Sequence, residues 1–346
     1  MKKPLLGLSL EELAAELAEL SLPKYRVKQL AEWLYQKQAL RFDEMTSLPK
    51  KLREQLDEMY DITAVEEVDR LYSADGKTSK FLLRIADGIL VETVLMRQPY
   101  GNSICVSTQA GCSMGCAFCA SGLHGLIRNL TPGEMFSEVA YVLRHLRADG
   151  EGLHSMVLMG SGEPLLNYEN VMAFLRLLHA DYSIHLSYRS ITLSTSGIVP
   201  NIKRLAGEGI PITLSISLHA PTMEQRTELM PVNRTFPIEE VVEAGRAYGR
   251  DTGRRVTYEY ILIAGFNDRE KDAEQLAKLL SGQLAGVNLI PVNPVAEKNW
   301  KRPTRQAVDA FQRALERRHI TATVRREMGA DIAAACGQLR NKHIEK

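Results

Sequence analysis

The chain has 346 residues, 45% of them hydrophobic and 25% charged, with a formal net charge of +1. That size suits one large α/β domain with an appendage or two domains, and the composition is that of an ordinary soluble globular protein. No apolar run approaches the roughly 18 residues of a membrane span, and the N-terminal apolar stretch is too short for a signal peptide, which predicts a cytoplasmic protein without a membrane partner. Five cysteines, an odd number, argue against a disulfide framework and suit thiols that bind metal or react.

Residues 1–70 read as helical. Ser9-Leu10-Glu11-Glu12 is a capping box that opens an amphipathic helix to about Leu20. Further helical stretches follow at 25–38 and 47–60, and Arg26, Lys28, Lys50, Lys51 and Arg53 are available on the surface of this small module. Near Lys77 the pattern turns to strands, with β-rich runs at 80–85 and 89–96 joined by Ala86-Asp87-Gly88, a hairpin signal. Strands and helices then alternate. Strands are expected at 104–108, 155–159, 189–194, 212–217, 256–263 and 287–291, and helices near 132–147, 169–180, 199–208, 238–250, 268–281 and 304–318. Six βα units with β-branched strands imply a parallel sheet, either doubly wound or a partial barrel.

Both architectures build sites at the C-terminal ends of their strands. The unusual residues fall there: Gly111–Cys119 after the first strand, Gly160–Pro164 after the second, Ser194–Gly197 after the third, Ser217–His219 after the fourth and Asn293-Pro294 after the sixth. Cys112, Cys116 and Cys119 make a C-x3-C-x2-C run, one thiolate short of a closed zinc site. Nearby His124 completes a Cys3His zinc reading, while a cubane on three cysteines leaves one iron open. Taken singly, Cys105 and Cys336 read as small packed residues, Glu92 as the solvent face of a strand and His219 as a satisfied loop histidine. From Glu297 to Lys346 there are 12 Lys/Arg against 6 Asp/Glu, a bias compatible with RNA phosphates or with a solvated face.

The cysteine run, with Phe118 before its last member, resembles the radical S-adenosylmethionine (SAM) superfamily. Cys119-Ala-Ser-Gly, Arg128-Asn129-Leu130-Thr131, Met159-Gly-Ser-Gly-Glu-Pro-Leu-Leu-Asn167, Ser194-Thr-Ser-Gly197, Ile216-Ser-Leu-His-Ala-Pro221, Asn288-Leu-Ile-Pro-Val-Asn293 and Ala334-Ala-Cys-Gly-Gln-Leu339 narrow the likeness to the RlmN/Cfr family of radical SAM RNA adenosine methyltransferases. The resemblance runs over essentially the whole chain and implies an α/β fold: a partial (β/α)6 radical-SAM barrel over 104–346, a helical RNA-contacting module over 1–75 and a linking β-hairpin over 76–103. It implies a 4Fe-4S cluster on Cys112, Cys116 and Cys119, and SAM, two molecules per turnover, against Gly162, Glu163, Ser194, Ser217, Leu218, His219 and Asn293. Cys336 is then the methyl acceptor, Cys105 the partner that resolves the protein–RNA adduct through a transient disulfide, and Glu92 the proton acceptor. One position departs from the family pattern: Ala333 stands where an acidic residue is common, although Asp331 is kept.

The resemblance further implies methylation of adenosine C2 in 23S rRNA, at the peptidyl transferase centre, and in tRNA just 3′ of the anticodon. A reducing electron donor protein would serve it, and the enzyme is expected as a monomer. The rivals are Cfr-like methylation at C8, a non-catalytic iron–sulfur RNA-binding protein and a radical SAM activase acting on a protein.

Overall fold

The computed structural model describes residues 2–62, 65–293, 295 and 297–339. Pro294 of the expected rim loop and residues 340–346 of the basic C-terminal region lie outside them. Short strands β1 (Lys3–Pro4) and β2 (Tyr60–Asp61) pair in parallel and bracket the helices α1 (Leu10–Glu16), α2 (Lys24–Tyr35) and α3 (Lys50–Met59). The capping box at Ser9 is formed, with its hydroxyl accepting from the Glu12 N–H and the Glu12 carboxylate accepting from the Ser9 N–H at 2.7 Å. Beyond Glu16 the chain tightens into a 3-10 turn over Ala18–Leu20, which shortens the expected helix by a turn.

Residues 66–70 were expected in the helical region; they belong instead to strand β3 (Glu66–Tyr72). Its run Glu-Glu-Val-Asp-Arg-Leu-Tyr is largely exposed and forms a sheet edge, where charges discourage the addition of another strand. β3 pairs antiparallel with β4 (Thr78–Arg84), β4 with β5 (Leu90–Gln98), and β5 with β6 (Gly101–Cys105). The expected hairpin is therefore part of a three-stranded extension, and residue 75 falls after the first of its strands.

After β6, the ribbon β7 (Gln109–Gly111) and β8 (Leu126–Asn129) leads into α4 (Pro132–Ala148). The chain continues through β9 (Leu153–Leu158), α5 (Tyr168–His179), β10 (Ile191–Thr195), α6 (Val199–Ala206), β11 (Thr213–Ser217), α7 (Met223–Leu229) and α8 (Ile238–Thr252). It ends with β12 (Val256–Leu262), α9 (Glu270–Leu279), β13 (Ala285–Pro291), α10 (Arg305–Glu316) and β14 (Thr321–Val324). The parallel strands stand in the order β6-β9-β10-β11-β12-β13-β14, which is the order of the chain. A doubly wound sheet reverses its order at a switch point, whereas sequential order with helical crossovers is the winding of a barrel. The second edge of β6 is taken by β5, so the sheet continues into the extension and the barrel is partial. The six βα units are present. β14 is an additional strand, too short and too exposed to show a period in the sequence.

The helical module shares one apolar core with the barrel, running from Leu5 and Leu13 through Phe136 to Leu315. Tyr35 docks it: the hydroxyl donates to the Leu8 carbonyl at 2.7 Å and accepts from the Gly7 N–H, and the ring meets Phe136 of α4 edge-on at 5.2 Å. At the same seam a Cβ on Gly133 would lie 2.2 Å from the Leu6 carbonyl oxygen. Two backbones touch there, and neither can yield as a side chain would. Gly133→Ala is expected to cost about 1–3 kcal/mol through the forced backbone shift, measured as a lower urea midpoint, with the α4 cap intact.

Candidate active site

The loop behind β6 carries the three clustered cysteines, and main-chain bonds hold it from several sides. The Cys112 N–H donates to the Gly125 carbonyl at 3.0 Å, the Ala117 N–H to Leu229 at 2.8 Å and the Cys119 N–H to Cys116 at 3.2 Å. The Trp300 indole N–H donates to the Ala117 carbonyl at 2.9 Å. Gly111, with φ +77°, lies where a Cβ would come within 2.1 Å of the Gly125 oxygen. Cys112, Cys116 and Cys119 border one cavity of about 150 Å3, shared with Gly162, Glu163, Ser194, Ser217, His219 and Cys336.

Burial pushes the Cys112 thiol up to about 11, and Cys116 and Cys119 rise for the same reason, so any metal held there must displace their protons. Among the described residues no three His, Cys, Asp or Glu side chains are grouped to grip a single ion. His124 is exposed and does not border the cavity, which removes the Cys3His zinc reading. Three thiols spread around one cavity fit a polynuclear cluster, in which each thiolate takes a different iron.

Most of the residues expected against SAM meet at this cavity. Gly162 has φ +107°, and a Cβ there would lie 2.6 Å from the Gln109 side chain. The buried Glu163 carboxylate accepts from the Ser196 N–H at 2.6 Å and the Leu165 N–H at 3.0 Å. Burial raises its pKa, and the Ser196 donor opposes that rise. His219 Nδ1 accepts the Ile261 N–H at 3.0 Å, which leaves the proton on Nε2. Burial, with Arg226 nearby, lowers this histidine to about 3, so a neutral ring faces the cavity. Two expected residues are placed otherwise. Leu218 is fully buried and lines neither this cavity nor the neighbouring one, its N–H donating to the Glu259 carbonyl. Asn293 borders the neighbouring cavity and donates from Nδ2 to the Cys336 carbonyl at 3.1 Å.

That second cavity, about 570 Å3, is bordered by both Cys105 and Cys336, and Cys336 borders the first as well. Both are free thiols. Burial pushes Cys105 up to about 12, and the adjacent Cys336 adds to the rise. Glu92 is buried rather than on a solvent face, ion-paired with Lys80 at 3.0 Å. Lys80 also donates to the Ala333 carbonyl at 3.0 Å. On the helical module, Arg26 and Arg53 are spent on the carbonyls of Ser47 and Asp43, while Lys28, Lys50 and Lys51 are exposed.

Three site residues carry no sequence signal. Arg226, fully buried, donates to the Ser196 carbonyl at 2.6 Å and reaches the Ser217 carbonyl at 3.4 Å, tying the rims of β10 and β11 together. Glu259 and Arg325 border the cofactor-side cavity from β12 and from the residue after β14. An isolated charge inside a strand pattern reads as a solvent face, and only the wound sheet of the partial barrel turns these toward the cavity.

The Radical SAM superfamily profile matches residues 106–279, and a profile described as the ribosomal RNA large subunit methyltransferase N-terminal domain matches residues 3–62. A probable dual-specificity RNA methyltransferase RlmN of Symbiobacterium thermophilum is 54% identical over 346 residues, 100% of this chain and 93% of that one. A protein of the same description from Geobacillus kaustophilus is 49% identical over 336 residues, 97% of this chain and 92% of its own. The crystal structure of a radical SAM methyltransferase from Sphaerobacter thermophilus superposes with a TM-score of 0.95 at 46% identity, covering 98% of this chain and all of that one.

Behind the cluster loop, Glu138 of α4 accepts from the Thr93 hydroxyl and the Ser107 N–H, and its second oxygen, Oε1, has no partner among the described residues. Burial pushes this acid up from 4.5 to about 8. The folded protein holds the proton more tightly than the unfolded chain, so this stabilising contribution is full below about 4.5 and is lost as pH rises through about 8. Glu138→Gln is expected to flatten that alkaline decline, read as the slope of unfolding free energy between pH 5 and about 9.

Proposed function

Because the chain belongs to the RlmN family of radical SAM RNA methyltransferases, we propose that it methylates C2 of an adenosine in 23S rRNA and of the adenosine 3′ of the anticodon in tRNA. A 4Fe-4S cluster with SAM supplies the methyl group and the radical-generating chemistry. Cys112, Cys116 and Cys119 hold the cluster. Gly162 lets its turn pack on Gln109 at the cavity border, Glu163 would offer a carboxylate to the SAM amino group, and Ser194, Ser217 and the Nε2–H of His219 would orient the rest.

The observation that carries the reading is the position of Cys336, on the shared border of the cofactor cavity and the larger one. A thiol there can take a methyl group on one side and present it as a thioether to a base on the other. Cys105, bordering the same larger cavity, then resolves the protein–RNA adduct through a transient disulfide with Cys336, and Glu92 accepts the proton lost from the methylated carbon. This route would require two SAM molecules per turnover, one to supply the methyl group and one to supply the radical chemistry. Adenine C2 is an electron-poor amidine carbon, which explains the detour through a protein thioether in place of direct attack on SAM.

The target base has to leave its stack to reach Cys336, as in other enzymes that act on a base. The helical module, the antiparallel extension and the basic C-terminal region would hold RNA by shape and phosphate contacts. The reaction takes electrons from a reducing partner protein, and since every site residue comes from one chain a monomer suffices.

Intact mass of protein produced with SAM present is expected to show one added methyl group, mapped to Cys336 by peptide sequencing. Cys336→Ala is expected to abolish RNA methylation. Full RNA methylation by that variant would sink the thioether route, and a methyl mark on C8 of the target adenosine would move the reading to the Cfr-like reaction.

A further inference from the structure

Arg325 follows the last residue of β14, and its N–H donates to the Leu289 carbonyl at 2.8 Å, extending the β13–β14 pairing by one residue. Its side chain turns into the barrel and borders both cavities. The nearest carboxylate, Glu259 Oε2, lies 3.9 Å from Nη1. Both oxygens of that carboxylate are already engaged: the Ser215 hydroxyl donates to Oε1 at 2.6 Å and Asn288 Nδ2 to Oε2 at 2.8 Å. Glu259 thus steadies the guanidinium by charge without closing a hydrogen bond to it. The one hydrogen bond from that guanidinium among the described residues runs from Nη1 to the Met159 sulfur at 3.5 Å, and a thioether is a weak acceptor. A guanidinium carries five N–H donors. Its side chain is 25% exposed, and the donors face the space bordered by Cys105 and Cys336.

A cluster of unspent donors in a walled cavity calls for an acceptor on the ligand. The wall of the larger cavity includes Val94, Met96 and Val157. Arg302 and Arg326 border it too, but both are exposed and Arg302 is paired with Glu327, whereas Arg325 also reaches the cofactor-side cavity. A half-buried cation in a partly apolar wall suits the edge of a flat heteroaromatic ring better than a phosphate, which would have to shed its water there. Resting on the adenosine-methylation reading above, we propose that Arg325 is the substrate-binding cation of the barrel, donating to the ring nitrogen beside the carbon that Cys336 addresses. Carbon C2 of adenine is flanked by two such acceptors, N1 and N3. Carbon C8 is flanked by only one, N7, since N9 carries the ribose. A charged donor on N1 or N3 holds the ring in its plane against Cys336 and withdraws electron density from the amidine carbon.

The test is a cycle on the holoenzyme. Wild type, Arg325→Lys and Arg325→Gln are given an RNA that wild type methylates, with adenosine, 1-deazaadenosine or 3-deazaadenosine at the target position. Initial rates of methyl incorporation are read by mass spectrometry. Replacing a ring nitrogen by carbon alters the intrinsic reactivity for every enzyme alike, so the contact is read from the ratio of penalties. The expected result is that one analogue costs wild type about tenfold to a hundredfold more than it costs Arg325→Gln, the worth of a charge-assisted hydrogen bond, with Arg325→Lys in between. Equal penalties in all three enzymes would overturn the proposal. So would a loss of bound SAM in Arg325→Gln that matches its loss of rate, which would assign the guanidinium to the cofactor. If Arg325→Gln fails to fold, the comparison of wild type with Arg325→Lys decides by the same ratio. Failure of wild type to methylate adenosine in RNA would count against the adenosine reading itself, apart from Arg325.

Discussion

Lys80 joins two parts of the molecule that lie far apart in the chain, because one buried ammonium both pairs with Glu92 on the neighbouring strand and donates to the carbonyl of Ala333. Breaking a buried ion pair on one side leaves an uncompensated charge, so this junction is rigid. From it the segment behind β14 is drawn across the open side of the barrel. The Asp331 carboxylate accepts the Ala74 N–H at 2.7 Å, and Gly329 sits against Thr78, where a Cβ would come within 2.7 Å. On the other flank the Ala120 N–H donates to the Gly337 carbonyl at 2.7 Å and the Ser121 hydroxyl to the Leu339 carbonyl at 2.9 Å. Cys336 is thereby held between the antiparallel extension and the cysteine loop. Its place on the border of two cavities follows from that double anchoring. The alanine at 333 leaves the Lys80 contact intact, since Lys80 uses a main-chain oxygen that every residue offers, but it holds φ at +50°, a left-handed conformation that a short polar side chain adopts more readily.

The polar residues inside the barrel divide into braces and ligand groups. Arg226 spends both terminal nitrogens on carbonyls at the ends of two strands and on Asn233 and borders neither cavity, so it is a structural cation. The Ser215–Glu259–Asn288 bridge does the same for three neighbouring strands at the level of the cavities. Glu163 and His219 stand between the two classes: each satisfies main-chain donors of the rim while still facing the cofactor-side cavity. Rim loops have no ladder of their own, and such side chains give them the precision that chemistry at a strand end demands.

Legibility varied with how local the determining physics was. Capping at Ser9, and the helices around 132–147 and 238–250, are set by residues a few positions apart and could be read directly. β3 was hidden because its alternation is carried by charges on an exposed edge, where no apolar period survives. β14 was hidden by its four-residue length. At the site, the cysteine spacing and the glycine-rich turns were visible because each needs its residue types at fixed local offsets. Leu218 was expected at the cofactor and is in the core, and Asn293 was expected there and grips the Cys336 loop.

The sequence by itself determined the strand–helix alternation, the rim as the place of chemistry, the three-thiol run and, through ordered motifs along the whole chain, the family. Those properties are written in short-range pattern and residue type. Only the tertiary structure decided that the winding is sequential, that Glu92 is buried on Lys80, that Arg325 borders both cavities, and that Cys105 and Cys336, more than two hundred positions apart, border one of them. Strand order depends on which edges remain unpaired as the sheet grows, and the direction of a strand side chain depends on register. Both are settled between distant segments, beyond what any local window of residues can carry.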